Sequence, residues 1–229
     1  MDKVKGIAII IVAIVSVIVT VLVANILLDT TGKVNQGNFR ISDVVVRSSA
    51  DVKEVQDENI ELKKLSDMIF DITQTNQISI LIDPNVKASS IRIENLNISD
   101  PALKGNMQIY QTKDKKYDVT PELKSIDLDL QQEEEKYVVN LYINNNNVLT
   151  NQKVDETVET IQYDATMFKT LGYDISSLKF NVSFDLLITD ESENTVKTSI
   201  SLNMPTDETV EAGMSILKQD TSNYIFTII

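Results

Sequence analysis

The chain has 229 residues, 21 Lys+Arg against 34 Asp+Glu, a formal net charge of −13, and no histidine, cysteine or tryptophan. An acidic excess of this size repels nucleic acid and anionic lipid headgroups. Without His or Cys the chain has no Ser-His-Asp or Cys-His catalysis, no His- or Cys-ligated zinc and no disulfides, so the folded part is held by its core alone.

From Gly6 to Leu28 there are 23 residues without a charge. As a helix rising about 1.5 Å per residue they reach about 35 Å, enough to cross a hydrocarbon layer of about 30 Å. A secretory leader is shorter and ends in a small-residue cleavage site. Here the candidate cut after Ala24 has bulky Leu22 three positions before it and Ile26, Leu27 and Leu28 beyond it. The stretch therefore reads as a retained signal anchor. Lys3 and Lys5 precede it and set the orientation by the positive-inside rule. Residues 1–5 become a cytoplasmic stub, 6–28 the transmembrane segment and 29–38 a polar linker, with 39–229 outside the cell membrane. An alternative keeps the same leader but cuts after Gly6, as in pilin-like subunits. Ile11 then stands where the pilin pattern places Glu. Ser16, Thr20 and Ala24 recur every four residues and put small side chains on one helix face, where a second membrane helix could pack.

"FRISDVVV" opens the fold, and period-two alternation dominates from there. Residues 51–82 fit a helix loosely and two strands better, "MIFDI" and "QISILI", parted by "TQTN"; Val52 to Lys64 stays open. "IRIENLNI" slips phase after Ile93, which predicts a bulge near Glu94 and Asn95, with "GNMQIYQT" as its partner strand. "SIDLDL" and "YVVNLYI" read as a hairpin turning through "QQEEEK", with Ile126, Leu128 and Leu130 facing Val139, Leu141 and Ile143. "NNNN", Asn144 to Asn147, reads as a turn that ends the strand. "ATMFKTLG" predicts a helical turn stopped by Gly172. The clearest hairpin joins Phe180, Val182, Phe184, Leu186 and Ile188 to Val196, Thr198, Ile200, Leu202 and Met204, closed by Pro205. "NYIFTII" is apolar on both faces and predicts a strand in the middle of a sheet. Single alternating faces mean antiparallel sheets with one wet side. The expected fold is mainly β: an N-terminal transmembrane helix, then an antiparallel β-sandwich of Ig-like or jelly-roll-like kind, as one domain or as two subdomains split near 113–122.

The chemistry-bearing residues are sparse. Asp127 and Asp129 share a strand face, the pairing a glycosidase or calcium site uses, although alternation alone explains them. Asp190, Glu191, Glu193 and Asn194 cluster in a turn without EF-hand spacing, and Glu133 to Glu135 read as a solvated turn. "SSLK", Ser176 to Lys179, has the S-x-x-K spacing, but its Lys belongs to an alternating strand. Asn97 and Asn181 begin sequons, and Tyr142 points outward as a candidate contact. Catalytic, cofactor and metal residues are none on this reading.

A cysteine-free exterior domain, 18 Lys against 3 Arg and the Asn run point to a bacterial surface protein from an AT-rich genome. "SDMIFDITQTNQISILID" and the closing "SLNMPTDETVEAGMSILKQDTSNYIFTII" resemble a group of uncharacterised single-pass bacterial membrane proteins with a short basic leader, one N-terminal span and an exterior β-domain. The resemblance implies location and architecture; it carries no activity. The expectation is a non-catalytic binding or scaffold component of the cell envelope. Its partners would be the membrane, through its N-terminal helix, and an envelope protein or a second copy of itself, with no nucleic acid and no cofactor. An anchored hydrolase is the third alternative.

Overall fold

β-Branched residues are stiff at χ1 and pack well on a pleated surface, and Val, Ile and Thr recur at alternate positions from residue 39 onward. A computed structural model describes residues 37–55, 67–99, 106–112, 114–120, 122–154, 159, 179–206, 208–209 and 213–229. The strands are β1 (Phe39–Glu54), β2 (Ile69–Pro84), β3 (Ala88–Ser99), β4 (Asn106–Thr112), β5 (Lys115–Asp118), β6 (Ser125–Leu128), β7 (Gln131–Glu133), β8 (Lys136–Lys153), β9 (Asn181–Asp190), β10 (Thr195–Asn203), β11 (Met214–Lys218) and β12 (Thr227–Ile228). They form two sheets, one ordered β11-β1-β2-β8-β4-β5 with β7 also on β8, the other β12-β10-β9-β3-β6. Every pairing is antiparallel.

One buried cluster takes side chains from both sheets. Val44, Val46, Ile78, Ile80, Ile82, Val139, Leu141 and Ile143 come from the larger sheet, and Ile91, Ile93, Ile126, Val182, Phe184, Leu186 and Ile200 from the smaller. Truncating one such side chain, for example Leu186→Ala, costs about 2–5 kcal/mol. Both sheets contain strands from before and from after residues 113–122, and these contribute to this same core.

The β9–β10 hairpin forms as expected, in unbroken register from Thr195↔Thr189 to Asn203↔Asn181. So does the bulge after Glu94, where the β3–β9 register shifts between Glu94 and Asn97 and Asn95 takes φ 53°. Other expectations are corrected. "TQTN" is not a break: β2 runs 16 residues through it. Its Thr73 to Asn76 pair with Asp51 to Ser48 of β1, and Gln74 to Asn76 pair with Asn145 to Ile143 of β8. The Asn run does not end its strand, because β8 continues for 18 residues to Lys153. Asn147 and Asn151 take φ 50° and 54° where the β2–β8 register shifts. Asn enters the left-handed region at little expense, so it absorbs the extra residue of a bulge.

"SIDL" and "YVVNLYI" do not pair. β6 lies on β3 in the smaller sheet and β8 lies in the larger. The tight hairpin is β7–β8, turning at Glu134 with φ 54°, and Leu130 is 41% exposed. "GNMQIYQT" likewise joins β8 and β5 rather than β3. Both errors have one cause. Period two reports which face is buried, and both sheets bury a face in the same core, so it cannot say which sheet a strand joins. The last strand lies at an edge rather than in the middle: among the described residues β12 pairs with β10 alone, at Val196↔Ile228 and Lys197↔Thr227.

Among the described residues no helix is long and apolar enough to cross a membrane. The expected span at 6–28, with Lys3, Lys5, Ser16, Thr20 and Ala24, lies outside the described residues, as do nearly all of the linker and the turn at 165–172.

Candidate functional site

Beyond Val46, Ile78 and Ile143 the inward row of the larger sheet turns polar. Ser48, Gln74, Asn76 and Asn145 are each no more than 1% exposed. Strand parity turns them inward, since they continue the rows of Val44, Ile78 and Leu141. The Ser48 hydroxyl donates to Asn76 Oδ1, and Asn76 Nδ2 donates to the Ile143 carbonyl at 3.4 Å, so one amide ties three strands together. Thr209 Oγ1 lies 2.9 Å from Ser215 Oγ and donates to the Ser48 carbonyl at 3.5 Å, while the Glu208 amide donates to Ser215 Oγ at 2.9 Å. An amide partner cannot take a proton from Ser48, so among the described residues the Ser48 hydroxyl is not bonded to a base that would make it nucleophilic. The Ser48–Asn76 pair ties β1, β2 and β8.

Next to it a slot of about 540 Å³ opens where the start of β9, the end of β10 and β11 meet. Phe180, Met204 and Leu217 give it an apolar lining, Thr206 and Ser215 add hydroxyls, and Lys179 and Glu208 also line it. Its size is that of a site for a small ligand or a few side chains. Reading the sequence missed the slot because it missed β11, whose five residues "MSILK" turn only Ser215 and Leu217 inward. Asn181, one of the two sequon asparagines, is the exposed first residue of β9 and lines the slot.

The wet face of the smaller sheet carries an ionic group around Asp185. It accepts from Ser199 Oγ at 2.5 Å, Asn95 Nδ2 at 2.8 Å and Lys197 Nζ at 3.2 Å. Ser199 above all, with Asn95 and Lys197, holds this carboxyl below the usual range against the opposing effect of burial. Arg92 pairs with Glu94 at 3.0 Å on the same strand face. The acidic turn closes on itself: Asp190 Oδ1 accepts from the amides of Ser192 at 2.8 Å and Asn194 at 2.9 Å. Asn194 and these amides draw the Asp190 carboxyl down. Those bonds occupy the oxygens a cation would need, and Glu191 and Glu193 are exposed.

Asp127 and Asp129 are not brought together as a pair. Asp127 sits exposed on β6, while Asp129 lies past its end, ion-paired to Lys115 and linked through its backbone to Gln111 at 2.6 and 3.1 Å. Tyr142 does face outward, but it stacks on Tyr110 with centroids 5.1 Å apart and planes 13° from parallel. Of the S-x-x-K stretch, only Lys179 is among the described residues.

The last strand is unlike the rest of the surface. Phe226 packs edge-on against Phe39 at 6.3 Å and pins the strand to the core. Ile225, Ile228 and Ile229 are 59%, 81% and 65% exposed. Large aliphatic side chains left exposed in and beside a short edge strand are the kind of feature that marks a contact surface. No family model matches this chain, and neither does any curated protein or solved structure.

Proposed function

We propose that the protein is a membrane-anchored, extracytoplasmic β-sandwich, Ig-like or jelly-roll-like in kind, that acts as a non-catalytic binding or scaffold component of a bacterial cell envelope. The uncharged stretch 6–28 behind Lys3 and Lys5 supports the anchor and its orientation. The observation that carries the binding role is the exposed aliphatic group Ile225, Ile228 and Ile229, in and beside a strand that has one neighbour among the described residues. A sheet edge of this kind offers unpaired backbone groups together with apolar area.

The test is fractionation of cells making the full chain, followed by protease treatment of the intact cells. The chain should stay with the membrane through an alkaline wash, and added protease should remove residues 37–229. A chain released by the wash ends the anchor reading, and a protected β-domain reverses the orientation. The intact mass of the membrane form should begin at the natural N-terminus; a product beginning at Ile7 replaces the anchor by a processed, pilin-like subunit.

A further inference from the structure

We propose that residues 219–229 form a displaceable strap, which lifts from the sandwich as one unit while both sheets stay folded and so uncovers the edge of β10. Its opening depends on neither the membrane anchor nor a partner.

The strap runs from one layer to the other. It leaves β11 in the larger sheet, where the Gln219 amide donates to the Val44 carbonyl at 2.9 Å, and it reaches the smaller sheet at β12. Between the two it bonds to itself. The Ser222 amide donates to Asp220 Oδ1 at 2.9 Å, and the Tyr224 amide donates to the Thr221 carbonyl at 3.1 Å. On the smaller sheet its ladder is two residues long, Thr227 opposite Lys197 and Ile228 opposite Val196. The Ile229 amide adds a bond to the Thr195 carbonyl at 3.0 Å, and the Thr227 hydroxyl one to the Lys197 carbonyl at 3.3 Å.

Two aromatic side chains supply the rest of the hold. Phe226 meets Phe39 of the larger sheet edge-on, and Tyr224 packs against the same core. Both are only partly buried, and not one residue from 219 to 229 is buried. The strand beneath is different: Val196, Thr198, Ile200 and Leu202 of β10 are all 6% exposed or less.

A segment with few buried apolar groups opens at a free energy well below that of global unfolding. β12 stands last in the order β12-β10-β9-β3-β6, so lifting the strap breaks the β12–β10 pairing and no other pairing among the described strands. Lifting also takes Ile228 away from Val196, Phe226 away from Phe39, and the bonded partners away from the Thr195 and Lys197 carbonyls. A strand edge with free backbone groups is a template for an added strand. The closed strap withholds this edge, and the open strap presents it.

The natural chain has no cysteine, so a single introduced thiol reports on its own position. Val196→Cys places one under the strap, opposite Ile228, and Val139→Cys places one on β8 at a site that is 0% exposed. The measurement is thiol labelling of the folded full chain in detergent, without urea and in low urea. The thiol at 196 should label about 100-fold faster than the thiol at 139. Its rate should hardly change with urea, because lifting a strap exposes little surface, whereas the rate at 139 should climb steeply. Adding Ile93→Val weakens the core equally whether the strap is open or closed. It should speed labelling at 139 about fivefold and leave labelling at 196 within about twofold. Amide exchange at Ile229 in the unsubstituted chain should likewise be fast and insensitive to urea. If the two thiols label at one rate and respond alike to urea and to Ile93→Val, the strap opens only with the whole fold and the proposal fails. Labelling at 196 as fast as that of a free thiol also overturns it, since the strap would then not be closed.

Discussion

Removing the Ser48 hydroxyl, as in Ser48→Ala, leaves Asn76 Oδ1 buried without its donor, in a side chain that is 0% exposed. An orphaned buried acceptor costs about 1–3 kcal/mol. Asn76→Ala removes that bond and the one to the Ile143 carbonyl and leaves a small void, about 2–4 kcal/mol together. In the double variant the Asn76 acceptor is gone, so its penalty vanishes and the loss should fall short of the sum by about 1–2 kcal/mol. At about 2–4 °C per kcal/mol for a domain of this size, Ser48→Ala should lower Tm by about 2–12 °C. The assay is unfolding of the full chain in detergent, by heat and by urea, followed by the far-ultraviolet signal of the strands. If the single losses add to within about 0.5 kcal/mol, the two side chains are not energetically paired, and the polar layer does not tie the strands as argued.

Two further outcomes follow from local geometry and charge. Glu193 holds φ at 67°, where a side chain is strained and glycine is not, so Glu193→Gly should raise stability by about 0.5–1 kcal/mol, read as a higher melting temperature; a fall would show that the Glu193 side chain stabilises the turn. Asp185 has its folded-state pKa held below the ordinary carboxylate value, chiefly by Ser199. The stability this contributes is present above the unfolded value of about 3.9 and is lost as pH falls through the lower folded value. Melting temperature should therefore drop in acid below about pH 4, and Ser199→Ala should make that drop shallower. An unchanged acid slope in Ser199→Ala would remove Asp185 from the account.

Burial was legible in the sequence where alternation was apolar. Phe180 to Ile188 and Val196 to Met204 turn inward as their spacing dictates, and all of the odd residues Val139 to Ile143 are buried. Pairing was not legible, because strands from two sheets line one core and their patterns are interchangeable. The polar inward positions were the hardest. Asn76 and Asn145 have side chains that ordinarily mark turns and Gln74 is polar, yet ladder bonds to β1, β8 and β4 keep them extended, and tertiary pairing overrides local preference. The edge role of β12 was hidden for a similar reason: an apolar run reads as buried, and nothing local in "NYIFTII" tells Phe226, which is pinned to Phe39, from Ile228, which is not.

The strand order has a kinetic consequence. β1 is completed on one side by β11, which joins Val45 to Lys218, and β3 is completed by β9, which joins Ile91 to Ile188. Contacts this distant in the chain require long loops to close before they contribute, which places such folds among the slow ones, at milliseconds to seconds or beyond. Neither layer can finish until the last fifth of the chain has been made. During synthesis β1 and β3 each wait with one side unpaired for as long as β9 to β11 are missing.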